Sequence, residues 1–227
     1  MPAERSIFQV LDEELVALPE DSVLAITSKI VSLCENRVVA MNKTNLENLI
    51  KQEADYYLPR QDNKYNQSFT ITNHTLMLRA GIDISPKSGN YILWPENPQK
   101  TAENLVLYLK KKFGLSQLGV VITDSVSTPF RLGVTGIAIG FSGFRPLKKY
   151  RSSHANIAGG LAASAVLVMG EGKEQTPLAV IEDIPFVEFC GDKPSQEDLE
   201  SFELTMDIDL FAPILEGANW QKGNRKT

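Results

Sequence analysis

GVVITDSVSTPFRLG, residues 119–133, begins with a glycine and three apolar residues and stops on Thr123 and Asp124. It then turns through Thr128-Pro129 into Phe130, Arg131 and Gly133. A β-branched run of this length that ends in polar residues reads as a buried strand, and the acid stands at its exit. Asp124 is therefore the first candidate for a functional carboxylate.

Working outward, strands and helices alternate irregularly. SVLAIT (22–27) is a second β-branched strand, GVTGIAIGFSGF (133–144) a glycine-spaced one and PLAVIEDI (177–184) another. FTITNHTLMLRAG (69–81) alternates like a single strand that ends at Gly81. Ser6 with Gln9 resembles a capping box, and Ile7, Leu11 and Leu15 follow at helical spacing, so residues 7–18 form a helix broken by Pro19. NLENLIKQEADYYL (45–58) puts Leu46, Leu49, Ile50, Ala54 and Tyr57 on one helical face. Asn97-Pro98 opens a helix whose buried face is Ala102, Leu105, Leu109 and Phe113 and whose stop is Gly114. Its last turn carries Lys110, Lys111 and Lys112, which suits the negative end of a helix dipole. ANIAGGLAASAVLVMG (155–170) reads as a buried helix and SQEDLESFEL (195–204) as an acidic one; the last ten residues read as frayed. Adjacent strands among the helices favour an α+β fold with mixed or antiparallel sheets over a doubly wound parallel one.

Composition excludes several classes. The 227 residues are 43% hydrophobic and 22% charged, enough for a substantial core. A net charge of -5 argues against non-specific attraction to nucleic acid or to an anionic membrane. The longest apolar run falls short of the roughly 18 residues that a membrane helix needs. Two cysteines without CxxC spacing and two histidines make a zinc site unexpected, and the thiols are expected to be reduced. The acidic N-terminal segment lacks the pattern of a secretion signal, so a cytoplasmic protein is expected. There is no GxxxxGK[ST] loop and no GxGxxG turn opening a helix.

Lys29 follows the SVLAIT strand closely, with Ser28, Ser32 and Glu35 nearby, and could serve as a point charge for a phosphate or carboxylate. Asp83 follows Gly81 in a turn. With these, the order of ITSKIVSLCENR, AGIDIS, PENPQKTA, VVITDSVSTPFRLG, GIAIGFSGFRPLKKYR and LAASAVLVMGEG resembles the γ-glutamyl ligase family of the deazaflavin coenzyme F-420, over roughly residues 20–182. The resemblance implies an α+β fold, an intertwined homodimer and a single ligase-like domain over 1–227. That domain would have an N-terminal helix at 1–20, a core at 20–182 and a C-terminal extension at 183–227. It implies addition of L-glutamate to a phosphorylated or pterin-like small-molecule acceptor, with GTP and Mg²⁺ or Mn²⁺. Lys29 and Ser32 match the nucleotide end of that family's site, Glu35 and Arg37 its EGR, His74 a histidine before the AGID turn, and Asp83 that turn's acid. Asp124 matches a metal-binding aspartate; Arg131 and Arg151 keep arginines of the family pattern and are expected to bind nucleotide or substrate.

The chain also departs from that pattern. Asn36 replaces the glycine of EGR, and Pro86 an asparagine. Ser127 and Thr128 stand where a Gly-Arg pair is usual, Lys149 replaces an aspartate, and Ala158-Gly159-Gly160 replaces an Ala-Asp-Glu helix start. From Ser125 to Gly170 there is no Asp or Glu, where the chain's average density of acids would place about six. The same stretch holds Arg131, Arg145, Lys148, Lys149 and Arg151. A two-metal centre built from this region and the preceding Asp124 could draw only on Asp124, His154, Asn156, hydroxyls and carbonyls, poor ligation for hard cations. Glu182 and Asp183 are the candidate substitutes. The alternative is a non-catalytic relative whose electropositive site takes an anionic ligand or nucleotide directly.

Overall fold

In the computed structural model residues 5–62 and 64–225 are described. The first four residues of the expected N-terminal helix region and the last two of the expected frayed tail lie outside them. Seven α-helices and thirteen short strands appear among the described residues, an α+β fold.

The chain begins with α1 (Ile7–Glu14), capped by Ser6 and Gln9 in a reciprocal capping box. Leu15 is already extended, so the helix ends four residues before the expected limit. Then come β1 (Ser22–Thr27), α2 (Ser28–Cys34), β2 (Val38–Ala40) and α3 (Leu46–Glu53). The helix expected over 45–58 stops at Glu53. Ala54 is extended, and the aromatic pair of β3 (Tyr56–Tyr57) joins a sheet instead. The strand expected over 69–81 is a hairpin, β4 (Phe69–Thr72) and β5 (Thr75–Leu78). Asn73 and His74 both have positive φ, 47° and 59°, as a two-residue type I′ turn requires. β6 (Asp83–Ser85) and β7 (Asn90–Ile92) form a further hairpin.

α4 (Pro98–Phe113) starts at Asn97, whose side chain caps Lys100 N, and ends at Gly114 in the left-handed conformation. β8 (Leu118–Val126) and β9 (Thr135–Ser142) follow, then the small hairpin of β10 (Leu147–Lys149) and β11 (His154–Asn156). α5 (Ile157–Met169), β12 (Leu178–Ile181), α6 (Gln196–Phe202), α7 (Ala212–Leu215) and β13 (Gln221–Lys222) complete the chain. β13 corrects the expectation of a frayed end, because it pairs with β3.

These elements form two compact units. One comprises the chain through Asn36 together with Pro95–Phe202; the other comprises Arg37–Trp94 and the chain from Glu203 on. The first unit is built on a four-stranded sheet of order β12-β1-β8-β9, with β1 and β8 parallel and the outer pairs antiparallel. Val23, Ala25, Val121 and Phe141 pack against Ala158, Leu161, Ala162, Ala165, Val166 and Met169 of α5. Strand alternation sends Leu24, Ile26, Val120 and Ile122 to the other face, on whose side α4 packs along β8 and β9. Cover on both faces explains why SVLAIT and LGVVIT are apolar without alternation.

The second unit has two antiparallel sheets, β13-β3-β4-β5 and β2-β7-β6. Its core is smaller: Leu49, Ile50, Ala54, Ala80, Ile82 and Leu93. Between β5 and β6, Arg79, Ala80 and Gly81 run through three successive positive φ values, 57°, 53° and 70°. Glycine is required at the last, because a Cβ there would come within 2.2 Å of the buried Trp94 indole. Arg37 is tied into this unit by an ion pair with Glu53 and by donating from Nε to Trp94 O at 2.9 Å.

Candidate functional site at the carboxyl edge of the parallel strands

The parallel pair sets the geometry. Thr27 stands opposite Thr123 in register, so β1 delivers Ser28 and Lys29 and β8 delivers Asp124 and Ser125 to the same edge. The carboxyl ends of parallel strands are where open α/β sheets bind ligands. β12 enters from the same edge, since Thr27 N donates to Pro177 O at 3.0 Å and Ile26 pairs with Leu178. A β-bulge interrupts β9 there: Ile122 faces Gly140 but Thr123 faces Ala138. The extra residue, Ile139, lies one pair before Asp124–Ile137, and bulges of this kind re-aim the side chains near them.

Asp124 is partly exposed, and its Oδ1 accepts from Ser125 N at 2.8 Å. Ser125 Oγ donates to Glu171 Oε1 at 2.5 Å. A second carboxylate therefore stands at the Ser125 hydroxyl. The sequence reading missed Glu171, which lies one residue outside the acid-free stretch. The signal was the helix itself: α5 runs along the sheet and stops at Gly170, which returns the next residue to the strand edge. Glu174 belongs to the same returning loop. Its carboxylate accepts from the backbone, including Gly172 N at 2.8 Å, and these hydrogen bonds hold its pKa below the ordinary glutamate value.

Glu182 and Asp183 do not stand in for the missing acids. Val23 pairs with Ile181, so these residues continue past the opposite end of β1, where they line a cavity of about 700 Å³ with Pro19, Glu20 and Asp21.

The other sequence candidates disperse. Lys29 is exposed on the first turn of α2, and Ser32 is 1% exposed within it. Glu35, at the end of α2, accepts from Glu96 N at 2.8 Å and from Thr101 Oγ1 at 3.2 Å, so its carboxylate fastens the entry to α4. Arg131 lies on the exposed β8–β9 turn and donates to Phe130 O at 2.9 Å. Arg151 is exposed in the β10–β11 turn. That hairpin is rooted at the start of α5, where Ile157 N donates to Pro146 O. Asp124 and Ser125 meet the other end of α5, a helix roughly 20 Å long. His74 and Asp83 belong to the second unit. His74 Nδ1 lies 3.1 Å from Leu204 O, and the whole of β5 separates it from the turn that leads to Asp83.

The donor types at this edge are those that a hard divalent ion takes. Asp124 and Glu171 offer carboxylate oxygens and Ser125 a hydroxyl, while Mg²⁺ ordinarily takes one or two carboxylates and completes its shell with waters and phosphates. Among the described residues no group of three or more His, Cys, Asp or Glu side chains is placed to hold a metal ion.

The family model described as F420-0:Gamma-glutamyl ligase matches residues 3–183, and the chain belongs to that family. Among curated proteins, the coenzyme F420:L-glutamate ligase of Methanococcus maripaludis strain S2 is 31% identical over 194 residues, covering 74% of this chain and 78% of that protein. The protein of the same description from Methanopyrus kandleri is 31% identical over 240 residues, 89% of this chain and 88% of its own. That from Methanocaldococcus jannaschii is 33% identical over 151 residues, 59% and 60%. No helix among the described residues is long and apolar enough to cross a membrane.

Proposed function

We propose that this chain is a GTP- and divalent-metal-dependent γ-glutamyl ligase that joins L-glutamate to a phosphorylated small-molecule acceptor of the deazaflavin coenzyme series, in the cytoplasm. Support comes from membership of the ligase family over residues 3–183 and from the names of the relatives. The observation that carries it is Asp124 at the exit of two parallel strands, next to Ser125, whose hydroxyl donates to Glu171.

Amide formation of this kind starts with transfer of the γ-phosphoryl group from GTP to the acceptor carboxylate, giving an acyl phosphate and GDP. The glutamate amine then attacks the acyl carbon; phosphate leaves, and the amine releases a proton to solvent. Charge gathers on the transferred oxygens, so a bound Mg²⁺ or Mn²⁺ would supply electrostatic stabilisation. Asp124 and Glu171 would hold that ion, with Ser125 orienting Glu171. Lys29, on the same edge, would bind a phosphate oxygen as a point charge. Ser32, Glu35, Arg131, Arg151, His74 and Asp83 remain candidates for nucleotide or substrate binding by resemblance.

The test combines turnover with binding. Purified protein is given GTP, Mn²⁺, L-glutamate and the deazaflavin acceptor; GDP, phosphate and the new amide are followed by mass spectrometry. Glutamate-dependent amide formation is expected, and Asp124→Ala should abolish it together with the metal dependence of nucleotide binding. Glu171→Gln should weaken Mn²⁺ binding in calorimetry roughly tenfold, as loss of one charge-assisted contact implies. Nucleotide binding that ignores metal, with no phosphate release, sinks the ligase reading.

That second outcome is what a non-catalytic relative binding an anion or nucleotide would give. The acid-free stretch from Ser125 to Gly170 and the Ala158-Gly159-Gly160 start of α5 favour it.

We also propose a homodimer. Phe130, Leu132 and Val134 on the β8–β9 turn are 98%, 107% and 51% exposed, an apolar tip suited to a second copy. Sedimentation should show dimers, and replacing the three with serine should shift them to monomers.

A further inference from the structure

The second unit holds a cavity of about 130 Å³ lined by Leu46, Glu47, Ile50, Arg60, Asn66, Gln67, Ser68 and Arg79. Two arginines, Arg60 and Arg79, are among its lining residues. Neither makes an ion pair among the described residues. Arg79 Nε is buried and has no hydrogen-bond partner. Leaving a buried charged donor unmade is among the costlier things a fold can do. The one acid in the lining, Glu47, is matched by Lys51 of the same helix at 3.1 Å. Arg79 is also the first of the three successive residues with positive φ, a strained conformation for a side chain of its size. Backbone strain, an orphaned donor and two like charges in one concavity all run against stability unless something negative completes them.

We propose that this cavity binds a phosphate group, either inorganic phosphate or the phosphoryl end of a small ester. Charge selects phosphate over carboxylate. Two uncompensated guanidiniums call for about two negative charges, which a phosphate carries near neutral pH and a carboxylate does not. The lining agrees: two arginines with Ser68 and Asn66 carry more donors than one carboxylate can accept. Neither arginine belongs to the strand-edge site, so the inference stands whether or not the chain is a ligase.

The test follows the melting temperature of the full chain at constant ionic strength, with inorganic phosphate, glycerol phosphate, acetate or chloride. A saturable rise with phosphate or with glycerol phosphate, but not with acetate or chloride, is expected. A rise with both supports a site for any phosphoryl group, and a rise with one alone identifies the source. Arg60 is exposed, so Arg60→Gln should fold normally and weaken the response roughly tenfold to a hundredfold. Arg79→Met should remove the response while leaving the phosphate-free melting temperature unchanged or higher, because it deletes an unpaired buried donor. A role confined to packing would instead lower that temperature and spare the phosphate response, and would overturn the proposal. So would equal protection by acetate, or a phosphate response that survives both substitutions.

Discussion

The first unit is held by a covered sheet, the second by its turns. In the first, β1 and β8 are buried on both faces and α5 lays an unbroken apolar stripe along them. In the second, the strands are two to four residues long and the chain changes direction at residues with positive φ: Asn73, His74, Arg79, Ala80 and Gly81. Stability in the first comes mainly from area removed from water; in the second a smaller core must also offset backbone conformations that few residues accept. The two should therefore fail under different substitutions.

The largest effect is expected from Phe141→Ala. Phe141 is fully buried and stacks edge-on against Phe202, with ring centroids 4.8 Å apart. Truncation should cost about 3–5 kcal/mol in chemical denaturation. Hydrogen exchange should rise first in β1, β8 and β9; a change confined to β3–β7 would break the contrast. Next comes Gly81→Ala, a gain of one methyl. The strained φ and the collision with Trp94 should together cost about 2–4 kcal/mol. A neutral result would mean that the second unit does not rest on that turn.

The smallest effect tests a surface network of the first unit. Asp12 accepts from Lys112 Nζ at 2.7 Å and from Tyr108 OH at 2.5 Å. The hydrogen bond from the Lys112 ammonium, then that from Tyr108, holds its pKa below the usual aspartate value. Between the lowered folded value and the ordinary value of about 3.9 the unfolded chain binds more protons, so stability rises with pH across that window. Asp12→Asn should lower the melting temperature slightly at neutral pH and lose its effect as the acid titrates in the wild type. An effect that persists undiminished at strongly acid pH would rule out the charged network as its source.

The same contrast governs what could be read from sequence. SVLAIT, GVVITDS, the Asn97-to-Gly114 helix and the Ala-rich helix were legible because burial on both faces and capping residues leave local signatures. FTITNHTLML read as one strand because the alternation continues through Asn73 and His74, and only their positive φ breaks it. YY at 56–57 carries helical spacing from Leu46 onward, yet pairing with β4 overrides it. At the candidate site, Asp124 was visible as the polar end of an apolar run. Glu171 was not, because nothing within a few residues of it announces that thirteen helical residues return it to Ser125. Nor was the Arg60–Arg79 cavity, since it depends on two segments meeting.

Neither unit is continuous in the chain, and this dictates an order of events during synthesis. β1 emerges early but has no parallel neighbour until Leu118–Val126 has been made. The four-stranded sheet of the second unit lacks an edge until Gln221 and Lys222 leave the ribosome. Closing such distant pairings is slow, and unpaired strand edges invite association with other chains in the interval. Nascent chains stalled before residue 118 should therefore engage chaperones that full-length chains escape.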